Sequence, residues 1–180
     1  MLFNSRVMIQ VIIVVLLFCL SAIALACKED GCSTHLDWGS CGNACCSLAI
    51  TTKDSPEAAI ALLNATVSRG GPDKHYTAQV TAGGNLFFDD LRDYDVPKNA
   101  NYIGQSFHVT DNGEFTDTQN WVVYPTGTGG SKIVGFSISQ IGGAYGDDGQ
   151  NWFNLNSVFA EAYPASTVMH VDGSCQSASP

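Results

Sequence analysis

The residues best suited to chemistry lie in two acidic stretches of the chain. Residues 87–97 read FFDDLRDYDVP, and residues 141–153 read IGGAYGDDGQNWF. Calcium prefers several hard oxygen ligands, which two acidic loops facing each other would supply. One hypothesis is therefore a calcium site formed by Asp89, Asp90, Asp147 and Asp148, although the chain lacks the spacing of an EF-hand. No other cofactor is predicted.

Simpler interpretations of both stretches stay open. The glycines of residues 141–149 could suggest a phosphate-binding loop, but the loop has two aspartates and no Lys or Arg, so it would repel phosphate. Asp148 or Asn151 could instead cap the helix predicted to follow. In the first stretch, Arg92 and a neighbouring aspartate could form a local, solvated ion pair of little energetic weight.

The sequence lacks the familiar catalytic patterns, with no G-x-S-x-G and no H-E-x-x-H. The four histidines are scattered, and we expect each on a strand surface or in a loop: His35, His75, His108 and His170. These features favour a binding or structural protein over an enzyme. A hydrolase with a site between the Asp89-Asp90 strand and the 147–151 loop is the alternative, although adjacent strand residues point to opposite faces.

The amino-terminal residues predict export. Arg6 precedes an apolar run, and the stretch ends at Ala24-Leu25-Ala26, a small-x-small pattern that signal peptidase accepts. We therefore predict a signal peptide over residues 1–26, a secreted protein and no membrane association after cleavage. The alternatives are an uncleaved membrane anchor through residues 7–26, about 20 residues long, and a lipoprotein acylated at Cys27.

The cysteines agree with an oxidising compartment. The chain has seven, and removal of Cys19 with the signal leaves an even set, which predicts three disulfides. Adjacent Cα atoms lie about 3.8 Å apart, below the ~4.4 Å that a bridge needs, so Cys45 and Cys46 should have separate partners. Cys175 should reach back to the cysteine-rich segment, residues 27–50. A zinc cluster is the less favoured alternative. The predicted disulfide residues are Cys27, Cys32, Cys41, Cys45, Cys46 and Cys175.

Charge limits the possible partners. The chain has 8 Lys and Arg against 17 Asp and Glu, a net charge of −9. Such a surface repels phosphate backbones, so we expect no nucleic-acid partner. An extracellular ligand or protein is the expected partner. The tripeptide Asn64-Ala65-Thr66 is an acceptor for N-glycosylation.

The elements that must position these residues follow from periodicity. Ser55-Pro56 and Gly70 bound one predicted helix, and residues 151–163 have apolar side chains at helical spacing before Pro164. Between them lie alternating segments, two of them joined at Asn112-Gly113, a hairpin signal. Residues 51–180 therefore predict an α+β domain: an antiparallel meander of about four to five strands packed with two helices and closed by Cys175.

The order FFDD, FSIS and a glycine-rich loop that opens a helix resembles a widespread domain family of unknown function. That family reads F-x-D-D-x-E-F and R-S-x-S-R-x-G-x-x-D-x-G-x-N-R, and Gln140 and Trp152 stand where it has arginines. The resemblance covers residues 45–160 and implies a helix, a meander and a final helix, without an activity. The matching residues are Phe88, Asp89, Asp90, Ser137, Ser139, Asp147, Gly149 and Asn151.

Overall fold

A computed structural model describes residues 44–81, 83–94, 99–141, 147, 149–171 and 175. Two helices pack with a seven-stranded antiparallel sheet, which confirms the α+β prediction. The strands are β1 (Cys45–Thr52), β2 (Tyr76–Ala78), β3 (Phe88–Asp90), β4 (Tyr102–Val109), β5 (Thr116–Pro125), β6 (Ser131–Ser139) and β7 (Met169–His170). The helices are α1 (Pro56–Ser68) and α2 (Gln150–Ala162).

The sheet has more strands than predicted because its first strand lies partly in the cysteine-rich segment. The strand order is β2-β4-β5-β6-β1-β7, and β3 also pairs with β4. The consecutive strands β4, β5 and β6 form the predicted meander. β1 pairs with β6 along its whole length and with β7 on its other side, so the segment boundary at residue 50 falls inside a continuous strand.

Helix α1 begins as predicted. The Ser55 side chain accepts a hydrogen bond from the Ala58 backbone N–H at 3.3 Å, and Pro56 occupies the first turn. Its buried residues Ala59, Leu63 and Val67 join the hydrophobic core. Asn64 is half-buried and accepts a hydrogen bond from Ser68 at 2.7 Å, and its glycosylation stays a prediction.

Helix α2 begins differently from the prediction. Gly149 is the N-cap residue, with a left-handed φ of 84°, and Asp147 accepts hydrogen bonds from the backbone N–H groups of Gly149 and Asn151. Asn151 lies within α2 and is buried on the side of the helix that faces the sheet, so its predicted role as a cap is wrong. Asp148 lies outside the described residues.

Both helices cover one face of the sheet, and the core lies between them and that face. Trp121 is fully buried, with its ring edge-on to Phe159 at 5.6 Å between centroids. On the next strand Gly135 leaves room for this ring, because a Cβ there would lie 2.9 Å from both Trp121 and Leu155. Each large apolar side chain buried in this way contributes roughly 1.5–3 kcal/mol.

A disulfide joins Cys46 in β1 to Cys175, across a sequence separation of 129 residues. This confirms that Cys175 closes the domain and that Cys45 and Cys46 are not bonded to each other. A loop of that length corresponds to about 5 kcal/mol in the chain-entropy account of disulfides. Cys27, Cys32 and Cys41 lie outside the described residues, as does the predicted signal peptide.

Candidate functional site

The predicted ligand Asp89 closes a turn. Its carboxylate accepts hydrogen bonds from the Thr81 hydroxyl at 2.6 Å, the Asn85 amide at 2.9 Å and the Gly83 backbone N–H at 3.1 Å. The hydrogen bond from Thr81 and then that from Asn85 lower the pKa of Asp89. These contacts are all made within residues 81–89, so Asp89 serves local structure.

Asp90 forms the local ion pair expected from the sequence. The Arg92 Nε lies 2.9 and 3.0 Å from the two Asp90 carboxylate oxygens. The guanidinium also donates to Glu57 on α1 at 2.9 Å and lies 5.3 Å from the ring centroid of Tyr102. The group is exposed to solvent and links β3 to α1.

The described residues of the two acidic stretches lie at opposite ends of the sheet. Asp90 pairs with Tyr102 at the start of β4, whereas Asp147 contacts Asn151, which bonds to Ser139 at the end of β6. Ser139 lies in the same cross-strand row as His108, two strands away. His108 is six positions after Tyr102 along β4, which corresponds to about 20 Å. The structure therefore does not bring Asp89 and Asp90 together with Asp147, as the calcium and hydrolase predictions require, and Asp148 lies outside the described residues.

Within the described parts of the chain, no group of three or more His, Cys, Asp or Glu side chains could hold a metal ion. The calcium hypothesis consequently has no assembled ligand set among those residues.

A different group of polar residues lies on the helix-covered face. Along β5 this face changes from Val123 and Trp121 to Gln119 and Asp117, and all four are buried. Cross-strand pairing extends the change into two polar rows. We call these rows the polar end of the sheet; their residues are Ser106, Gln119 and Ser137 in one and His108, Asp117 and Ser139 in the other.

Hydrogen bonds connect the first polar row to the core. The Trp121 Nε1–H donates to the Ser106 hydroxyl at 2.9 Å, and this hydroxyl donates to Gln119 Oε1 at 3.1 Å. Ser137 donates to the Asn151 Oδ1 of α2 at 2.6 Å. A buried polar group costs free energy unless it is hydrogen-bonded, so these pairs fix one arrangement of the sheet and helix.

The second polar row contains a buried carboxyl group. Asp117 is 2% exposed and accepts a hydrogen bond from the Asn154 Nδ2 of α2 at 2.7 Å. Burial raises the pKa of Asp117 above its ordinary value, while hydrogen bonds from Asn154 and Ser139 act in the opposite direction. Asn154 in turn accepts a hydrogen bond from Gln150 at 2.7 Å.

His108 lies beside Asp117 with one ring nitrogen unsatisfied. Its side chain is 2% exposed, and its Nε2 lies 2.9 Å from Asp73 Oδ2. Its Nδ1 is buried and has no hydrogen-bond partner in the described residues. Donation from Nε2–H to the carboxylate leaves Nδ1 as an acceptor in the neutral ring, an assignment that follows from the hydrogen-bond geometry.

The prediction that His108 lies on a strand surface or in a loop is wrong. Its neighbours Phe107 and Val109 are apolar, and alternation along the strand places them on the opposite side of β4 from His108. The structure buries the side of Ser106 and His108. A signal was present in β5, where Asp117 and Gln119 alternate in phase with Trp121. For His75, in a loop, and His170, on exposed β7, the prediction is confirmed.

A cleft of about 540 Å³ opens beside His108. Its walls are the residues before β2, the β4–β5 turn and the first turns of α2. The turn contains the predicted hairpin signal, with Gly113 at a φ of 73° and the Thr110 backbone N–H donating to Phe115 at 3.0 Å. The lining residues are Asp73, His108, Thr110, Asp111, Asn112, Phe115, Gln150 and Phe153.

The sequence matches no family model, and no curated protein matches it. The family resemblance through Asp89, Ser137 and Asn151 therefore stays a prediction. In the described part of the chain no helix is both long and apolar enough to span a bilayer.

Proposed function

We propose that the protein is an exported binding domain that holds a small polar ligand in the cleft beside His108. The observation that carries this proposal is a cleft of about 540 Å³ that His108 lines and into which two phenylalanine rings are exposed. Small-molecule sites are concave and combine apolar walls with a few fixed polar groups. The volume of the cleft falls within the range of such sites.

The two rings support a binding role. Phe115 and Phe153 are 45% and 44% exposed, and they come from different elements, the β4–β5 turn and α2. Single exposed apolar residues are ordinary on a protein surface. Two aromatic rings that line the same cleft offer an apolar surface that a ligand would remove from water.

The polar end of the sheet supports a preorganised site. Gln150 lines the cleft and bonds to Asn154, which bonds to Asp117, which pairs across the strands with His108. Side chains held by such second contacts keep one geometry, which lowers the entropic cost of binding.

Binding fits the cleft better than catalysis does. Thr110 is the only hydroxyl side chain lining this cleft in the described structure, and it donates to Asn112 at 2.7 Å. The Nε2 of His108 is engaged by Asp73, and its Nδ1 is shielded from solvent. Covalent catalysis requires a nucleophile within hydrogen-bond reach of an accessible base. The described residues that line the cleft do not include such a pair.

Export is supported by the predicted signal peptide and by the Cys46–Cys175 disulfide, since disulfides persist mainly in oxidising compartments. Production of the full chain in a secreting host tests this directly. Mass spectrometry should report a mature protein beginning at Cys27 and a rise in mass upon reduction and alkylation. Recovery of the intact chain from the cytosol with reactive thiols would contradict export.

The binding proposal is tested by a thermal-shift screen of sugars, amino acids, amines and carboxylates. A ligand of the cleft should raise the melting temperature of the wild-type protein and have little effect on Phe153→Ala. Leu62→Ala is the matched control, because Leu62 is a similarly exposed apolar residue on the other helix. If no compound stabilises the wild-type protein, or Phe153→Ala responds like the control, the proposal fails.

A further inference from the structure

A second cleft opens where β7 separates from the edge of β1, at the opposite end of α2 from the cleft beside His108. We call it the edge cleft; it has a volume of about 590 Å³ and lies between residues 51–53 and residues 165–169. We propose that the edge cleft binds the carboxylate of a small organic acid with an apolar chain. This proposal does not depend on the function proposed for the first cleft.

The main chain of β1 has an unpaired hydrogen-bond donor beside the edge cleft. The Val171 N–H donates to the Ser47 carbonyl at 3.1 Å, and alternate residues of a strand direct their backbone groups to the same edge. The backbone groups of Thr51 therefore also point toward the β7 side, where the register would place Thr167. Within the described structure no backbone hydrogen bond joins Thr51 to Thr167, so the Thr51 N–H can donate to a ligand.

Hydroxyl groups lie on both walls around this donor. Thr51 contributes one from β1, and Ser166 and Thr167 contribute two from the segment that leads to β7. Each hydroxyl has one proton to donate and lone pairs to accept. An oxygen atom of a ligand in the edge cleft would therefore meet a backbone donor together with side-chain donors from two parts of the chain.

Two lysines make this corner of an acidic protein positive. Lys53 lines the edge cleft, and Lys132 is the β6 partner of Thr51 across the sheet. Asp54 follows Lys53 in the chain but does not line the cleft. Burial and, after it, the charge of Asp54 raise the pKa of Tyr163, so this carboxylate lies toward the helix-covered side. A carboxylate ligand would form charge-assisted hydrogen bonds here, whereas an ammonium would be repelled.

Apolar side chains in the same wall favour an acid with a hydrocarbon chain. Met169 is 45% exposed, and Ala165 is also exposed beside the cleft. The flexible methionine side chain adapts to apolar groups of varied shape. A hydrocarbon chain attached to the carboxylate would remove this surface from water, whereas an inorganic anion would leave it exposed.

The experiment compares three ligands that share one hydrocarbon chain and differ in charge. Purified full-chain protein labelled with nitrogen-15 is titrated at neutral pH with hexanoate, hexanol and hexylammonium, and the amide resonances are followed by NMR. We expect hexanoate to bind about tenfold more tightly than hexanol, which corresponds to about 1.4 kcal/mol. Hexylammonium should bind more weakly still, and the Thr51 amide should be among the resonances that hexanoate shifts most.

Substitution of an exposed lysine locates the binding site without threatening the fold. Lys53→Gln should weaken hexanoate binding several-fold, whereas Lys74→Gln, at an exposed lysine that does not line the edge cleft, should not. Equal affinity for the three ligands, no binding of hexanoate, or unchanged affinity in Lys53→Gln overturns the proposal. Shifts confined to residues 110–115 and 150–153 also overturn it, because they place hexanoate in the cleft beside His108 and leave the function proposed there intact.

Discussion

The two ends of the helix-covered face use the same strands and the same helices but different forces. At one end Tyr102, Val123 and Ile133 form an apolar row, next to the row in which Trp121 fits against Gly135. At the other end the equivalent positions are His108, Asp117 and Ser139. Apolar packing requires only a complementary shape, whereas a buried polar row requires a partner for every group. Among the described residues, the polar end has one buried side-chain atom without a hydrogen-bond partner, the Nδ1 of His108, and the cleft opens beside that residue.

The largest expected effect comes from the apolar end. Trp121→Ala should lower the free energy of unfolding by about 3–5 kcal/mol, because it leaves a cavity between the sheet and α2. Urea unfolding followed by circular dichroism measures the change. Phe153→Ala is the control and should stay within roughly 0.5 kcal/mol of the wild-type protein. A Trp121 variant as stable as this control would contradict the assignment of the core.

A smaller effect is expected at the polar end. Asn154→Ala removes the hydrogen-bond donor to Asp117 and should cost about 1–3 kcal/mol, because it leaves a buried acceptor unsatisfied. The matched control is Asn156→Ala, a half-buried asparagine on the same helix. Equal stability of the two variants in urea would show that the network does not fix the helix.

The pKa values of the carboxyl groups should distinguish the buried Asp117 from Asp89 and Asp90. Carbon-13 NMR should find the pKa of Asp117 above the ordinary value for aspartate and those of Asp89 and Asp90 below it. A raised folded-state pKa means that ionised Asp117 destabilises the fold, so the stability it costs at neutral pH returns as the pH falls through that pKa. In Asp117→Asn this pH-dependent contribution to the free energy of unfolding should be absent. Titration of Asp117 together with Asp89 would contradict its burial.

The smallest effect belongs to the exposed turn. Asp89→Asn weakens hydrogen bonds made within residues 81–89 and should lower the melting temperature less than Asn154→Ala does. Lowered folded-state pKa values mean that the contributions of Asp89 and Asp90 are present above the ordinary aspartate pKa and lost as the pH falls through the folded values. A loss larger than that of Asn154→Ala would show that the 81–89 turn stabilises more of the fold than its local contacts indicate.

Local patterns predicted the parts of this fold that depend on local contacts. Ser55 and Pro56 start a helix through their own backbone geometry, and Asn112-Gly113 sets a turn within four residues. Cys175 was expected to pair far away because no other thiol lies near it in the sequence. Each of these predictions depended on a short stretch of sequence or on the number and positions of the cysteines.

The candidate site was missed because its hydrogen bonds join residues that are far apart in the sequence and follow neither helical nor strand periodicity. Asn151 resembles a cap in sequence, yet its partners Ser137 and Ser139 lie on a strand brought beneath α2 by the sheet. His108 alternates with the apolar Phe107 and Val109, yet the structure buries the side of β4 that carries His108. Most of strand β1 lies within residues 27–50, which were predicted from their cysteines to form a disulfide-linked segment.

The most direct test is a long-range proton–nitrogen NMR spectrum of the His108 ring in nitrogen-15-labelled protein, with and without a compound that stabilises the wild-type protein in the thermal-shift screen. The proposed site predicts an Nε2–H tautomer in the free protein and a clear shift of the His108 ring resonances when the compound binds. An Nδ1–H tautomer, or ligand binding that leaves the His108 nitrogens unchanged, would contradict a site built around the polar end of the sheet.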